Sequence, residues 1–320
     1  MKNDTNFGIT EEKPSSYNGI NTSCVIIVMY NRVPELAKIF DAINTNIIEG
    51  LIVVNNSANN QLQDILYSSI PNELSSCIHL YKNYNIDKMA GALNLGIREA
   101  IKLGYSMVFL LDDDAHLSDN FFRIQLENMN TQLSKGVKVG ILCPIVSNDE
   151  HLINKQIGKA SFSEIKYAIT SGSLLNINAV LNTSLYDTRF PLEAADLMFS
   201  ILIRESGSKI LRFNKVLVTQ DFGTSLKQNS FLALIYKISA KLPNHINFYF
   251  DKGNAYFNYA FYYSPEREAD ILKNFLKLKS VSEFHVGLVS IFLTVIRQIF
   301  NFLILGDRKY LSLVLKEVFR

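Results

Sequence analysis

Three carboxylates in a row, Asp112, Asp113 and Asp114, close an apolar run in the stretch "SMVFLLDDDAHLSDNFF", residues 106–122. Adjacent like charges repel, and a strand end by itself has no need of three of them. In an extended segment side chains alternate, so Asp112 and Asp114 project to one side and Asp113 to the other. Two hard oxygen ligands on one side suit Mg2+ or Mn2+, with positions left open for phosphate oxygens. A cation there would act as a Lewis acid toward a leaving diphosphate. The bland alternative is a solvated acidic loop in which one Asp caps a turn. Two further polar strand ends weigh against it.

The elements that must position these acids follow from the hydrophobic pattern. "SCVIIVMYNR" (23–32) is an apolar, β-branched run ending in a polar loop, which reads as a buried strand. "VPELAKIFDAINT" follows as a helix, with Pro34 suited to its first turn and Leu36, Ile39, Phe40 and Ile43 on one face. "GLIVVNNSANN" (50–60) is a second strand, "QLQDILYSSI" a short helix and "CIHLYKN" (77–83) a third strand. "DKMAGALNLGIREAIKLG" (87–104) carries a helical stripe of Met89, Leu93, Ile97, Ala100 and Ile101 and stops at Gly104. "SMVFLL" is the fourth strand; Ser118 or Asp119 can cap the helix "NFFRIQLENMNTQL", and "VKVGILCPIV" (137–146) is a fifth strand. This alternation predicts an α/β domain with a mostly parallel central sheet, Rossmann-like, covered by helices on both faces. In such sheets ligands bind beyond the carboxyl ends of the strands, where "YNR", "NNSANN" and "DDDAH" all fall.

After residue 150 the pattern loosens. "YAITSGSLLNINAVLN" (167–182) reads as a strand, a small-residue turn and a helix; "PLEAADLMFSILIRESG" (191–207) is helical; "SKILRFNKVLVTQDFGTS" (208–225) begins as a strand. The expected division is a polar lead-in over 1–20, a catalytic domain over 21–225 and a helical C-terminal region over 226–320.

Composition narrows the function class. The 320 residues carry a net charge of +2, too balanced for a nucleic-acid stripe. The cysteines, Cys24, Cys77 and Cys143, are odd in number and sit in apolar runs, which suits thiols in a reducing compartment. The polar N-terminus lacks the apolar core of an export signal, so the chain is expected to be cytoplasmic. No Walker-type loop and no G-x-G-x-x-G follows the first strand, which argues against ATP hydrolysis and dinucleotide binding.

Residues 23 to about 225 resemble the inverting family 2 glycosyltransferases, with their nucleotide-sugar-binding type A fold. The flavour is that of the bacterial rhamnosyltransferase and galactofuranosyltransferase branches. The resemblance rests on six stretches in order: "VIIVMYNR", "LIVVNNSANN", "NYNIDKMAGALNLGI", the Asp-x-Asp unit of "FLLDDDA", "TSGSLLN" and "AADLMFSILIRESG". It implies that Asp112 lies near the nucleotide, that Asp114 and Asp112 face the metal, and that Asp196 is the general base. It implies donor contacts from Tyr30, Asn31, Arg32, Asn55, Lys88 and Asp113, and acceptor contacts from Ser171, Gly172 and Ser173. Two positions depart from the family pattern. Asn55 stands where an Asp usually meets the nucleobase; its carbonyl could still accept a base N–H, or it could be a plain turn former. Gln220 and Asp221 stand where a metal-binding His is common, with Asp221 a possible substitute ligand.

The remaining candidates have ordinary alternatives. Arg32 and Lys88 could reach a diphosphate or be surface charges. His116 could face the acceptor or be solvated. Asp196 could be an acid favoured at a helix start, and Ser171–Ser173 an ordinary turn. "FHVGLVSIFLTVIRQIFNFLILG" (284–306) and "DRKYLSLVLKEVFR" carry narrow polar and basic stripes on apolar helices. They read as interfacial helices on anionic lipid, or as an oligomerising pair. The expected protein is a peripheral enzyme on the inner face of the cell membrane. It would use Mg2+ or Mn2+ and a nucleotide-diphosphate sugar to extend a lipid-linked surface polysaccharide such as an O-antigen or capsule. A nucleotidyltransferase and a catalytically inactive membrane-docked scaffold are the rivals.

Overall fold

The computed structural model describes residues 22–220 apart from 58–60, 148, 159 and 193, together with the separate positions 269, 273, 312, 315 and 316. In chain order the elements are β1 (Ser23–Met29), α1 (Ala37–Asn44), β2 (Gly50–Asn55), α2 (Gln61–Ser69), β3 (Ile78–Lys82), α3 (Lys88–Lys102), β4 (Met107–Asp112), a short β5 (His116–Leu117), α4 (Phe121–Ser134), β6 (Val139–Ser147), β7 (Phe162–Ile165), β8 (Ser173–Asn176), α5 (Ile177–Val180), α6 (Ala195–Glu205) and β9 (Lys209–Thr219). The expected interfacial helices, residue 221 and nearly all of the 226–320 region lie outside the described residues. Among the described residues no helix is long and apolar enough to cross a membrane.

The strand order is β3-β2-β1-β4-β8-β6-β9-β5, with β7 paired to β9. β3, β2, β1 and β4 run parallel. β8 is antiparallel to both its neighbours, β4 and β6. β9 is parallel to β6, while β5 and β7 run against β9. The sheet is therefore mixed, which corrects the expectation of a mostly parallel one. Strand–helix alternation predicts parallel crossovers only while it lasts, and it ends at β6. β8 is a four-residue run, all buried, and such a run has the same hydrophobic signature in either direction. The small-residue turn around Ser171 also precedes its strand instead of following one.

β1 shows why both faces are covered. Val25, Ile27 and Met29 join one core with Ile39 of α1, Leu66 of α2 and Phe121 and Phe122 of α4. Cys24, Ile26 and Val28 join the other with Leu93 and Ile97 of α3, Val180 of α5 and Phe199 of α6. Phe109 of β4 meets Phe122 edge-on at 4.9 Å, which fixes α4 against the strand that carries the acids. Two helix starts differ from expectation. α1 begins at Ala37, beyond Pro34, and α4 is entered through Asn120 at φ 57 with no side-chain cap. Asp119 pairs instead with Lys38 at 2.9 Å.

The β3–α3 connection is unusual. Tyr84, Asn85, Asp87 and Lys88 all have positive φ, a conformation that disfavours side chains. Two asparagines hold it. Asn83 Nδ2 donates to the Ile86 carbonyl at 2.7 Å and to Asn56 Oδ1 at 2.8 Å. Asn56 Nδ2 donates to the Lys88 carbonyl at 3.1 Å and to Asn85 Oδ1 at 3.2 Å. A Cβ at Gly91 would lie 2.1 Å from the Ile86 carbonyl oxygen, so α3 can approach this loop only through a glycine. Gly91→Ala should cost about 1–3 kcal/mol, as overpacking against backbone does. A wild-type melting temperature for that variant would show that the loop yields freely.

Candidate active site

The carboxyl ends of β2, β1 and β4 lie side by side, with Met29 facing Asn55 and Val28 facing Asp112. Antiparallel β8 brings its preceding turn to the same edge. Leu110 faces Ser173, and the Gly172 N–H donates to the Leu110 carbonyl at 2.9 Å. Continuing that register carries Ser171 and Thr170 past the acidic end of β4.

The three adjacent aspartates have different surroundings. Gln220 Nε2 donates to Asp112 Oδ2 at 2.8 Å. Burial pushes the Asp112 carboxyl up to about 7; the Gln220 amide opposes this, while the charges of Asp196, Asp114 and Asp113 add to it. The charge of Asp196, from α6, thus reaches Asp112. Asp113 Oδ2 accepts the Tyr30 N–H at 2.7 Å, closing the loop after β1. Burial raises its pKa, and the Tyr30 amide and the Arg32 charge work against that rise.

Asp196 sits in the first turn of α6, entered through Ala194 at φ 62. Its Oδ2 accepts the Thr170 N–H at 3.2 Å, and its Oδ1 accepts the Thr170 hydroxyl. Thr170 Oγ1 lies 3.3 Å from the Tyr186 hydroxyl. Tyr186 is buried, stacked on Phe199 at 4.2 Å, and clamped by Asn94 through two 2.8 Å bonds to its backbone N–H and carbonyl.

The other expected residues are placed as follows. Asn55 Oδ1, its side-chain carbonyl oxygen, accepts both the N–H and the hydroxyl of Ser57, at 3.0 and 2.6 Å. An N–H can only donate, so the amide cannot be turned over. What Asn55 retains is Nδ2, buried without a partner. This corrects the expectation that its carbonyl is available to a base N–H. Tyr30 is exposed and Asn31 has φ 58. Lys88 opens α3. His116, half-exposed on β5, has its Nδ1 3.4 Å from the Glu35 carboxylate. Ser171, Gly172 and Ser173 are buried. A Cβ on Gly172 would meet Val218 at 2.8 Å, and the Ser173 hydroxyl donates to the Ile169 carbonyl at 2.5 Å. Packing therefore explains the glycine at 172. Thr170, Tyr186, Asn94 and Gln220 are the residues that sequence reasoning passed over as site components. Gln220 carried a signal as a departure from the family pattern, Thr170 and Asn94 stood unassigned inside the motifs "TSGSLLN" and "NYNIDKMAGALNLGI", and Tyr186 carried none.

Among the described residues no three His, Cys, Asp or Glu side chains form a ready metal site. The donor set suits Mg2+ or Mn2+ nonetheless. Asp112 and Asp114 are hard oxygen ligands, and a cation bound by one or two carboxylates completes its shell with phosphate and water. Asp112 also makes stability depend on pH. Between about pH 4 and about 7 the native state keeps a proton that the unfolded chain has released, so stability falls as pH rises through this window. The displacement is worth on the order of 4 kcal/mol. Melting of the metal-free protein from pH 4 to 8 should show this fall, and Asp112→Asn should lack it. An unchanged slope in the variant would place the titration elsewhere.

Residues 24–181 match the model of the family described as Glycosyl transferase family 2. No curated protein sequence matches the chain. Among solved structures, GalNAc-T7 with UDP, GalNAc and Mn2+ superposes with a TM-score of 0.53 at 13% identity, over 92% of this chain and 58% of that one. S. aureus TarS gives 0.46 at 11% identity, over 87% of this chain and 55% of that one. Its 1–349 fragment with UDP-GlcNAc gives 0.48 at 12%, over 92% and 79%. The chain thus spans little more than half of GalNAc-T7 and of full TarS. The GalNAc-T7 likeness bears on the fold alone. The matched segment, just under half of the 320 residues, includes the acidic end of β4, and over that segment the chain is similar to the family 2 glycosyltransferases.

Proposed function

We propose that the protein is a metal-dependent inverting glycosyltransferase whose general base is Asp196. The observation that carries this reading is that Asp196, from α6, is hydrogen-bonded to Thr170 in the turn that the β8 register brings past the acidic end of β4, where its charge acts on Asp112. Asp112 and Asp114 would hold Mg2+ or Mn2+ beside the donor diphosphate. When bound, that cation supplies charge neutralisation for the leaving group. GalNAc-T7, similar in fold, was solved with UDP and Mn2+, which supports a nucleoside diphosphate and a divalent ion as ligands.

The remaining chemistry belongs to the chain. Asp196 takes the proton of an acceptor hydroxyl as its oxygen bonds to the anomeric carbon. The carbon–oxygen bond to the diphosphate breaks on the opposite face, and the electron pair leaves on the phosphate oxygen. Attack from the far side inverts the anomeric centre. Rhamnose or galactofuranose is the favoured sugar, on the motif resemblance. The proposed acceptor is a lipid-linked saccharide at the inner membrane surface, which suits the apolar, basic stripes read in the C-terminal sequence.

The test is turnover against a panel of UDP-, dTDP-, GDP- and CDP-sugars with Mn2+, read as released nucleoside diphosphate. One or a few donors should be consumed, and EDTA should stop the reaction. Release from none of them, with the protein folded, would overturn the reading in favour of a scaffold.

A further inference from the structure

Resting on the reading of Asp196 as the base, we infer that Thr170 and Tyr186 are positioning residues that aim this carboxylate at the acceptor. Proton bookkeeping fixes the direction of the chain. Thr170 meets both oxygens of Asp196, one through its N–H and one through its hydroxyl. An ionised carboxylate has no hydrogen to give, so the Thr170 hydroxyl is the donor to it. That hydroxyl has a single hydrogen. The 3.3 Å contact to Tyr186 therefore runs from the phenol to Thr170 Oγ1. The result is a one-way chain, from Tyr186 O–H to Thr170 O–H to Asp196 Oδ1. Burial, with Asp196 as the next cause, raises the Tyr186 phenol well above its ordinary range, so it keeps its proton.

Each link is itself held. The Thr170 carbonyl accepts the Ser173 N–H at 3.0 Å. The same turn is anchored at Gly172, whose N–H reaches Leu110 and whose carbonyl accepts Gln125 Nε2 at 3.1 Å. Tyr186 is fixed by Asn94 on its backbone and by Phe199 on its ring. Phe199 lies on α6, the helix that carries Asp196. Two donors from one rigid residue stop the carboxylate from rotating. A base whose lone pair must meet one acceptor proton gains from that restriction, because small misplacements lower rates strongly. A purely structural role for Thr170 would be to tie the turn to α6, and it would be felt in stability and in donor binding. A positioning role is felt in kcat.

The experiment measures kcat, donor KM and melting temperature for Thr170→Val, Thr170→Ser, Tyr186→Phe and Asp196→Asn, with the sugar nucleotide that the panel of UDP-, dTDP-, GDP- and CDP-sugars selects. Thr170→Val keeps shape and N–H but loses the hydroxyl. It should lower kcat by about ten- to hundredfold, the size of one hydrogen bond to a charged group, with donor KM within about twofold. Thr170→Ser restores the hydroxyl and should recover kcat to within about threefold. Tyr186→Phe should lower kcat by about three- to tenfold. Wild-type kcat in Thr170→Val, with Asp196→Asn inactive, overturns the positioning chain and leaves the base reading standing. Wild-type turnover in Asp196→Asn removes the base reading, and this inference with it. If Thr170→Val does not fold, Tyr186→Phe decides, and a wild-type kcat there overturns the chain.

Discussion

Asp196→Asn should lower turnover by about a hundredfold or more while leaving donor affinity nearly intact. Loss of a general base typically costs two to four powers of ten, and the effect falls on kcat when the group does not hold the donor. The amide is nearly isosteric; its oxygen can accept the Thr170 N–H and its NH2 can donate to the Thr170 hydroxyl, which also accepts, so the turn and α6 should stay folded. The proposed donor contacts lie on other elements, at the ends of β1, β2 and β4 and at the start of α3, and none comes from α6. Nucleotide release under saturating donor gives kcat, and calorimetry with UDP and Mn2+ gives donor binding. Wild-type-like transfer would end the catalytic assignment of Asp196. A lowered melting temperature with proportionate loss of donor binding would instead make it a structural acid tying α6 to Thr170.

Asp114→Ala should reduce metal-dependent binding of a nucleoside diphosphate by about a hundredfold or more, whereas Asp113→Ala should be much milder. The contrast rests on partners, not on strand alternation: β4 ends at Asp112, the Ala115 N–H closes a turn on the Asp112 carbonyl at 3.3 Å, and the expected extended run through Asp113 and Asp114 is thereby corrected. In the proposed site Asp114 would join Asp112 on the cation, and a divalent ion held by two carboxylates loses half its protein ligands when one is removed. Asp113 turns toward the β1 loop and accepts the Tyr30 N–H at 2.7 Å. Its removal costs one hydrogen bond near the surface, about 0.5–1.5 kcal/mol of stability. Any effect on binding would come indirectly, through the Tyr30–Arg32 loop. Calorimetry with UDP and Mn2+ separates the two. Equal losses for both variants would show that the pairing of Asp112 with Asp114 is wrong.

How much of this was legible varies with the physics behind each feature. The strands β1, β2, β4 and β6 were plain because buried strands need unbroken apolar runs, and "SCVIIVM" and "MVFLL" are such runs. Direction was not, because the buried "SLLN" of β8 packs equally well either way. The acidic strand end could be seen because charge beside an apolar run is rare. Thr170 could not, since its partner, Asp196, lies 26 residues on and is met only after α6 docks. Asn94 was read as one letter of a motif; its two bonds to Tyr186 span 92 residues. Asn55 shows a finer limit. Its place at the end of β2 follows from the sequence, but which end of its amide stays uncommitted depends on how Ser57 folds back.

The place of β8 also bears on how the chain can assemble. β6 is made before β8, yet it joins β4 only through it. While the polypeptide emerges, β3-β2-β1-β4 can zip up in sequence, whereas β6 has no neighbour in that half to add to. The two halves of the sheet must wait for four residues, Ser173–Asn176, to be slotted between them. Until then β4 presents an open row of backbone donors and acceptors, the kind of edge that recruits other chains. A truncation that stops short of Asn176 would preserve that exposed state, so soluble expression of N-terminal fragments should improve abruptly once the insert strand is included.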